Sequence, residues 1–261
     1  MEVIDLAPGH EEAYIHCLEE WSEEIKEAGD HKRRWYACMK DRGLRVKLAC
    51  DDSGTVGGMI QYLPIEEYGL QGRDLHFILC IWVHGYEQGR GNFQKQGMGA
   101  ALLRAAEQDS RALGKKGMAA WGVMLPFWMR ASWFKKQGYQ AVDRDGISVL
   151  LWKPFVEDAV APKWVRRKKK PQQAAGKVTV DAFLNGWCPA QNLVFERARR
   201  AAEELGDKVV FRSHDTLERG VFDEWGIVDG LFIDGREVRT GPPPSYETVK
   251  ALIEKRLRKL K

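Results

Sequence analysis

Six residues, Gln94-Lys95-Gln96-Gly97-Met98-Gly99, lead into an amphipathic stretch, Gly99–Leu113, that follows a nearly continuous apolar run, Leu75–Val83. Glycines at this spacing let a backbone approach a phosphate closely. The N–H groups at the start of the following helix, those of Met98, Gly99 and Ala100, then donate to the anion, and the helix dipole adds favourable charge. Just before this loop, residues 84–94 read HGYEQGRGNFQ. His84 suits proton transfer because imidazole titrates near neutrality. Glu87 is the next candidate base, followed by Glu66, Glu67 and His76, and Tyr86 carries a hydroxyl that can donate a proton. The three glycines of the segment allow close approach or movement.

These residues need elements to position them. Val3–Leu6 reads as a strand and Glu11–Ala28 as a helix, with Tyr14, Leu18, Trp21 and Ile25 along one face. Arg45–Cys50 and Val56–Leu63 flank Asp51-Asp52-Ser53-Gly54, a hairpin signal. Leu75–Val83 has the composition of a central strand covered on both faces. A helix over Gly99–Leu113, a strand over Met118–Val123, a helix over Pro126–Gln137 opened by its proline and a strand over Ile147–Trp152 follow.

The segment Val156–Lys177 holds two prolines, the basic run Arg166–Lys170 and a Gln/Ala/Gly stretch, and reads as a solvated linker. It divides residues 1–155 from residues 178–261. Beyond it, strands at Val178–Leu184, Lys208–Phe211, Leu231–Ile233 and Glu237–Arg239 alternate with helices at Ala190–Leu205 and Leu217–Trp225. A last helix begins after Ser245. Residues 178–261 thus read βαβαββα, and with the mixed strands and helices before the linker the whole chain is of the α/β class.

Charge is unevenly spread. Residues 1–155 carry 20 Lys and Arg against 21 Asp and Glu, residues 156–177 carry 7 against 2, and residues 178–261 carry 14 against 14. Neither folded part has the basic excess of a nucleic-acid binder. The longest apolar run, Phe77–Val83, is far short of the ~20 residues of a membrane-spanning helix. The N-terminus shows no secretory signal, so a cytoplasmic location is expected. The five cysteines, Cys17, Cys38, Cys50, Cys80 and Cys188, form no C-x-x-C pair, and neither a disulfide framework nor a metal site is expected.

The Q-x-x-G-x-G pattern of Gln94–Gly99, set between an apolar strand and an amphipathic helix, resembles the motif with which GNAT-superfamily N-acetyltransferases hold the pyrophosphate of coenzyme A. Trp133-Phe134-Lys135-Lys136-Gln137-Gly138-Tyr139 resembles a later helix of that superfamily. The resemblance covers residues 1–155 and implies the GNAT acyltransferase fold, with acetyl-CoA as co-substrate and an amine as acceptor. It places Ile81, Trp82, Val83, Gln94, Lys95, Gln96, Gly97, Met98, Gly99, Ala100, Phe134 and Lys136 at the cofactor, and His84, Glu87 and Tyr86 at the chemistry. In such folds a backbone N–H of the central strand, here near Ile81–Val83, polarises the thioester carbonyl. Two departures bear on mechanism. Phe134 stands where many members have a proton-donating tyrosine, and Trp128 where many have an asparagine. Cys80 reads as a small buried residue. Trp82, Trp121, Trp128 and Trp133 suit either core packing or an acceptor pocket.

Trp187-Cys188-Pro189-Ala190, between a strand and a helix, resembles the W-C-x-x-C junction of the thioredoxin fold, with Gln191 in place of the second cysteine and Asp229 at the position of the fold's proline. An internal dithiol is thereby excluded, while an exposed, reactive Cys188 thiol is expected at the helix start. GWCPAQN and DGREVRTGPPPSYE together with the first domain resemble the YoaP-type acetyltransferases across the full chain. Four functions follow: acetyl transfer to a small-molecule amine, which is favoured, acetylation of a protein docked by the second domain, a thiol- and acyl-CoA-binding sensor, or RNA binding through the charge run Arg166–Lys170. A homodimer is compatible with each.

Overall fold

The computed structural model describes residues 1–125, 128–238 and 242–260. In chain order the strands and α-helices are β1 (Glu2–Asp5), α1 (Glu11–Ile15), α2 (Glu23–Lys26), α3 (His31–Met39), β2 (Arg45–Cys50), β3 (Val56–Pro64), β4 (Leu70–Gln71), β5 (Leu75–Val83), α4 (Met98–Ala112), β6 (Gly117–Val123), α5 (Ala131–Lys136), β7 (Gln140–Asp145), β8 (Ser148–Pro154), β9 (Lys163–Trp164), β10 (Val178–Leu184), α6 (Pro189–Leu205), β11 (Val209–Asp215), α7 (Arg219–Trp225), β12 (Gly230–Ile233), β13 (Arg236–Glu237) and α8 (Tyr246–Leu257). Two compact units result. One comprises Met1–Trp21 and Cys38–Val165, the other Ser22–Ala37 and Arg166–Lys261.

The first unit is built on a seven-stranded sheet in the order β1-β2-β3-β5-β6-β8-β7. Only β5 and β6 run parallel; the other pairs are antiparallel. The β2–β3 hairpin forms where Asp51 accepts from the N–H groups of Ser53 and Thr55 and Gly54 takes a left-handed φ of 86°. Helix α4 lays Leu102, Leu103 and Ala106 onto Ile60, Tyr62 and Ile78. Its axis is pinned near the other end by Asp109. That carboxylate accepts two hydrogen bonds from Arg45 of β2, at 3.0 and 2.9 Å, and one from the Tyr62 hydroxyl of β3 at 2.6 Å. Burial pushes the Asp109 carboxyl up, but the bonds from Arg45 and Tyr62 and the charge of Lys47 outweigh it, and the net shift is downward. This anchor fixes where the N-terminus of α4 meets the sheet.

Several expected elements differ. The helix over Glu11–Ala28 is interrupted, because Cys17 and Leu18 take left-handed φ values of 53° and 64°. The Leu18 N–H closes onto the Ala13 carbonyl at 2.7 Å, which buries Leu18 and turns the chain out of the helix. The later helix starts at Ala131 rather than Pro126. Met129 has φ 55° and Arg130 bridges to Val123 in extended form; Pro126 itself lies outside the described residues. The strand β7 and the helix α3 lack a clear apolar period and were not foreseen. Residues 156–177 are not one spacer. β9 pairs with β4 in the first unit. The basic run lies along the second unit, where the Lys168 N–H donates to the Trp225 carbonyl at 2.8 Å and Lys169 pairs with Glu224 at 2.7 Å.

The second unit has a four-stranded sheet in the order β11-β10-β12-β13. β10 and β11 are parallel, while β12 is antiparallel to both β10 and β13. Helices α6 and α8 cover one face with Val194, Ala198, Val249 and Ile253 against Val178, Val180 and Leu231. Ser245 caps α8 by accepting from the Thr248 N–H at 3.2 Å. Segment Ser22–Ala37 belongs to this unit, tied to α6 by His31–Glu196 at 2.8 Å and Arg197–Glu24 at 2.8 Å. Among the described residues no helix is long and apolar enough to cross a membrane.

Candidate active site

The sheet of the first unit opens at its centre. β5 and β6 pair from Leu75↔Gly117 to Ile78↔Ala120, yet β5 continues to Val83 and β6 to Val123. A bulge lies at this point, since Tyr62 pairs with Ile78 but Gln61 with Cys80, leaving Leu79 as the extra residue on β5. The bulge shifts the side-chain alternation. Ile78 before it and Ile81 and Val83 after it pack toward α4, so Cys80 and Trp82 occupy the opposite face. Two indoles meet the freed carbonyls of β5: Trp121 Nε1 donates to Leu79 at 2.8 Å and Trp128 Nε1 to Ile81 at 3.3 Å.

The first turn of α4 lies beside the end of β5: a Cβ on Gly99 would be 3.8 Å from the Val83 side chain. Its cap residue, Gly97, has φ 86° and offers no side-chain bond to the helix start. The first intrahelical bond is Ala101 N–H to the Gly97 carbonyl at 3.0 Å, so the N–H groups of Met98, Gly99 and Ala100 have no partner within the helix. Lys95 also has a left-handed φ of 62°. A Cβ placed on Gly97 would meet nothing within 4 Å, so there is room at this end for a ligand. Gln94, Lys95, Gln96 and Gly97 are exposed, and Lys136 is exposed at the end of α5. A set of backbone donors beside open space suits a diphosphate, and the residues present fit the coenzyme group.

The segment 84–93 folds back on β5. His84 is fully buried, with Nδ1 against the Gly91 carbonyl at 2.8 Å and Nε2 accepting from the Trp21 indole at 3.2 Å. Both ring nitrogens are engaged and the side chain has no exposed surface, so in this structure His84 holds the loop rather than facing an open site. Arg90 reinforces the fold-back through Glu20 and, at 3.2 Å, the Val56 carbonyl. Tyr86 and Glu87 are exposed. His76, another candidate base, is buried against Ser110 at 2.8 Å, and burial lowers it to about 4.

Phe134 also departs from expectation. It has no exposed surface and packs edge-on against Trp133 and Tyr139, with centroids 5.0 and 5.5 Å away. It belongs to the core and cannot touch a cofactor in this arrangement. Trp21 is the residue that sequence reasoning missed. It looked like one member of a helical stripe, and only the break at Cys17–Leu18 frees it to reach His84.

In the second unit Cys188 caps α6, with Pro189 in the first turn. It is 8 % exposed rather than open. The neighbouring Gly186 explains this, because a Cβ there would lie 3.1 Å from the His31 carbonyl and 3.4 Å from Trp35 Cβ, so α3 lies over the loop. Asp229 accepts from the Asn185 N–H at 2.9 Å and Trp187 Nε1 at 3.0 Å. Burial pushes its carboxyl up to about 6 despite these two bonds. None of the five cysteines is in a disulfide. Among the described residues no group of three or more His, Cys, Asp or Glu is arranged to hold a metal.

The sequence profile of the acetyltransferase (GNAT) family matches residues 10–139. No curated protein matches the chain. Among solved structures, similarity extends to the PaiA N-acetyltransferase of Thermoplasma acidophilum in complex with coenzyme A, at 17 % identity and TM-score 0.43 over 59 % of this chain and 98 % of that one. A GNAT-family acetyltransferase of Brucella melitensis in complex with acetyl-CoA is 16 % identical, with TM-score 0.40 over 61 % and 90 %. The ribosomal-protein-alanine N-acetyltransferase of the same organism is 14 % identical, with TM-score 0.44 over 59 % and 100 %. The family profile, falling on the opened sheet and the helix α4 that follows it, makes residues 10–139 an acetyltransferase domain of the GNAT family.

Proposed function

We propose that the first unit transfers an acetyl group directly from acetyl-CoA to the amine of a small molecule, with both substrates bound together. The observation that carries this reading is the parting of β5 and β6 beyond Ile78↔Ala120, beside the unbonded N–H groups of α4. Met98, Gly99 and Ala100 hold the diphosphate through their backbone, with Gln94, Lys95 and Gln96 forming the approach and Lys136 adding positive charge. The bound coenzyme supplies an activated acyl carbon and a thiolate leaving group. As the C–N bond forms and the C–S bond breaks, the amine loses one proton and the sulfur gains one. An N–H of β5 near Ile81–Val83 stabilises the negative charge that develops on the carbonyl oxygen. Glu87 takes the amine proton through water and Tyr86, the exposed hydroxyl of the same loop, returns one to the sulfur.

The second unit is read as a thioredoxin-like domain of the YoaP type. Its sheet order, with β10 and β11 parallel and β12–β13 an antiparallel hairpin, and the W-C-P-A-Q junction at the start of α6 support that reading. With one enclosed cysteine it acts by holding a partner or the acceptor rather than by dithiol exchange.

Mass spectrometry of the purified protein under non-denaturing conditions tests the cofactor. A mass increase matching coenzyme A or acetyl-CoA is expected, with titration calorimetry giving one site per chain. Thiol release from acetyl-CoA on adding an amine tests the transfer. A protein that binds neither coenzyme form refutes the reading.

A further inference from the structure

Three aromatic residues gather at the end of β5, on the face turned away from α4. Trp82 is on the strand itself, one residue past Ile81, whose carbonyl lies at the opened edge. Tyr86 sits on the returning loop, with its ring centroid 6.3 Å from that of Trp82 and 6.2 Å from that of Trp21. Trp21 is 37 % exposed and Tyr86 48 % exposed, so two of the three rings present surface outward beside the proposed acyl site. Large exposed aromatics in such a group are costly unless something covers them.

The wall is built rather than incidental. A Cβ on Gly89 would fall 2.2 Å from the Trp21 ring, so the loop can lie this close only with glycine there. The Trp21 ring is then held by its bond to His84. The polar inventory is small. Arg90 is neutralised by Glu20, and Glu87 is the acidic group that the loop itself contributes. A polycationic acceptor would need more negative charge than this. The indole N–H of Trp82 is buried and has no hydrogen-bond partner. A buried unsatisfied donor is rare and calls for an acceptor atom.

Resting on the reading that the opened sheet binds acetyl-CoA, we infer that Trp21, Trp82 and Tyr86 form the acceptor wall, and that the acceptor is a small primary amine carried on an aromatic ring bearing a hydrogen-bond acceptor. The ring packs on Trp21 and Tyr86, the substituent takes the Trp82 N–H, and the amine is left toward the opened edge of β5.

Acetyl transfer should be compared among tyramine, phenethylamine, butylamine, spermidine and an alanine-terminated peptide, with acetyl-CoA binding measured separately by calorimetry. Tyramine is expected to exceed phenethylamine in kcat/KM by about tenfold, the yield of one added hydrogen bond, and both to exceed butylamine. Trp82→Phe keeps a ring and removes the N–H. It is expected to collapse the tyramine-to-phenethylamine ratio toward one, a comparison that cancels any general loss of active protein. Because Tyr86 is also the proton donor proposed above, Tyr86→Ala should lower the rate with every amine, and more with the two aromatic amines than with butylamine. Preference for spermidine or the peptide, or an unchanged ratio in Trp82→Phe, overturns the inference. Failure to bind acetyl-CoA refutes the underlying reading instead, whereas binding without transfer to any aromatic amine refutes the inference alone.

Discussion

The Trp21 indole donates to Nε2 of His84 across 3.2 Å, and Nδ1 of the same imidazole lies 2.8 Å from the Gly91 carbonyl. A ring bonded at both nitrogens and closed off from water is a fastener. His84→Leu should therefore destabilise the protein by about 1–3 kcal/mol, as the Trp21 N–H loses its acceptor in a packed site. The pH dependence of kcat/KM should keep its acidic limb at the same pH. Thermal unfolding and a pH–rate profile of the variant measure the two; disappearance of the limb would return His84 to the role of base.

Gly97 combines a left-handed φ of 86° with open space where a side chain would go. Gly97→Asp introduces a carboxylate beside the N–H groups of Met98, Gly99 and Ala100. It should weaken acetyl-CoA binding at least about tenfold by competing for those donors and repelling the diphosphate. Calorimetry on a variant with unchanged far-ultraviolet dichroism checks this, and undiminished affinity removes the loop from the site.

Phe134 is enclosed by Trp133 and Tyr139. Phe134→Ala should cost about 3–5 kcal/mol through the lost contacts and the cavity left behind. Phe134→Tyr should destabilise as well, by about 1–3 kcal/mol, because its hydroxyl would be buried without a partner. No gain in transfer rate is expected from it. A rate increase of a hundredfold on restoring the tyrosine would mean that the ring can reach the reacting sulfur.

Asp229 gives the second unit a pH dependence. Its folded value, about 6, lies above the ~4 of an unfolded chain. Between those values the folded state holds a proton that the unfolded state has lost, so stability declines as pH rises through this window and levels off above it. The decline is at most about 3 kcal/mol. Acidification from pH 7 to pH 5 should raise the protection factors of the β10 amides, with the intrinsic pH dependence of exchange divided out, and Asp229→Asn should flatten that response.

Cys188 is buried at the start of α6, whereas Cys17 and Cys38 are half-buried. With limiting iodoacetamide, Cys188 should label more slowly than either of them in the folded protein and at a similar rate in denaturant. Faster labelling in the native state would show that the α6 start opens and that its dipole activates the thiol.

The hairpin at Asp51, the central strand Leu75–Val83, the phosphate loop before α4 and the βαβαββα order were legible in the chain, because each rests on local signals. Periodicity, turn residues and glycine spacing act within a few residues of one another. The same locality explains the errors. Nothing near Leu18 in sequence announces that its N–H will close onto Ala13 and release Trp21 toward His84, 63 residues away. Nor does the composition of Ser22–Ala37 reveal that this segment packs with α6. A histidine at the end of a strand has the right chemistry for a base whatever surrounds it. Burial and the occupation of both nitrogens are properties of packing, and packing made His84 a structural residue and Phe134 a core one. Residue types and short spacings determined what kind of chemistry this chain can do, while the tertiary contacts, which depend on residues far apart in sequence, decided which side chains have a free atom and an open path with which to do it.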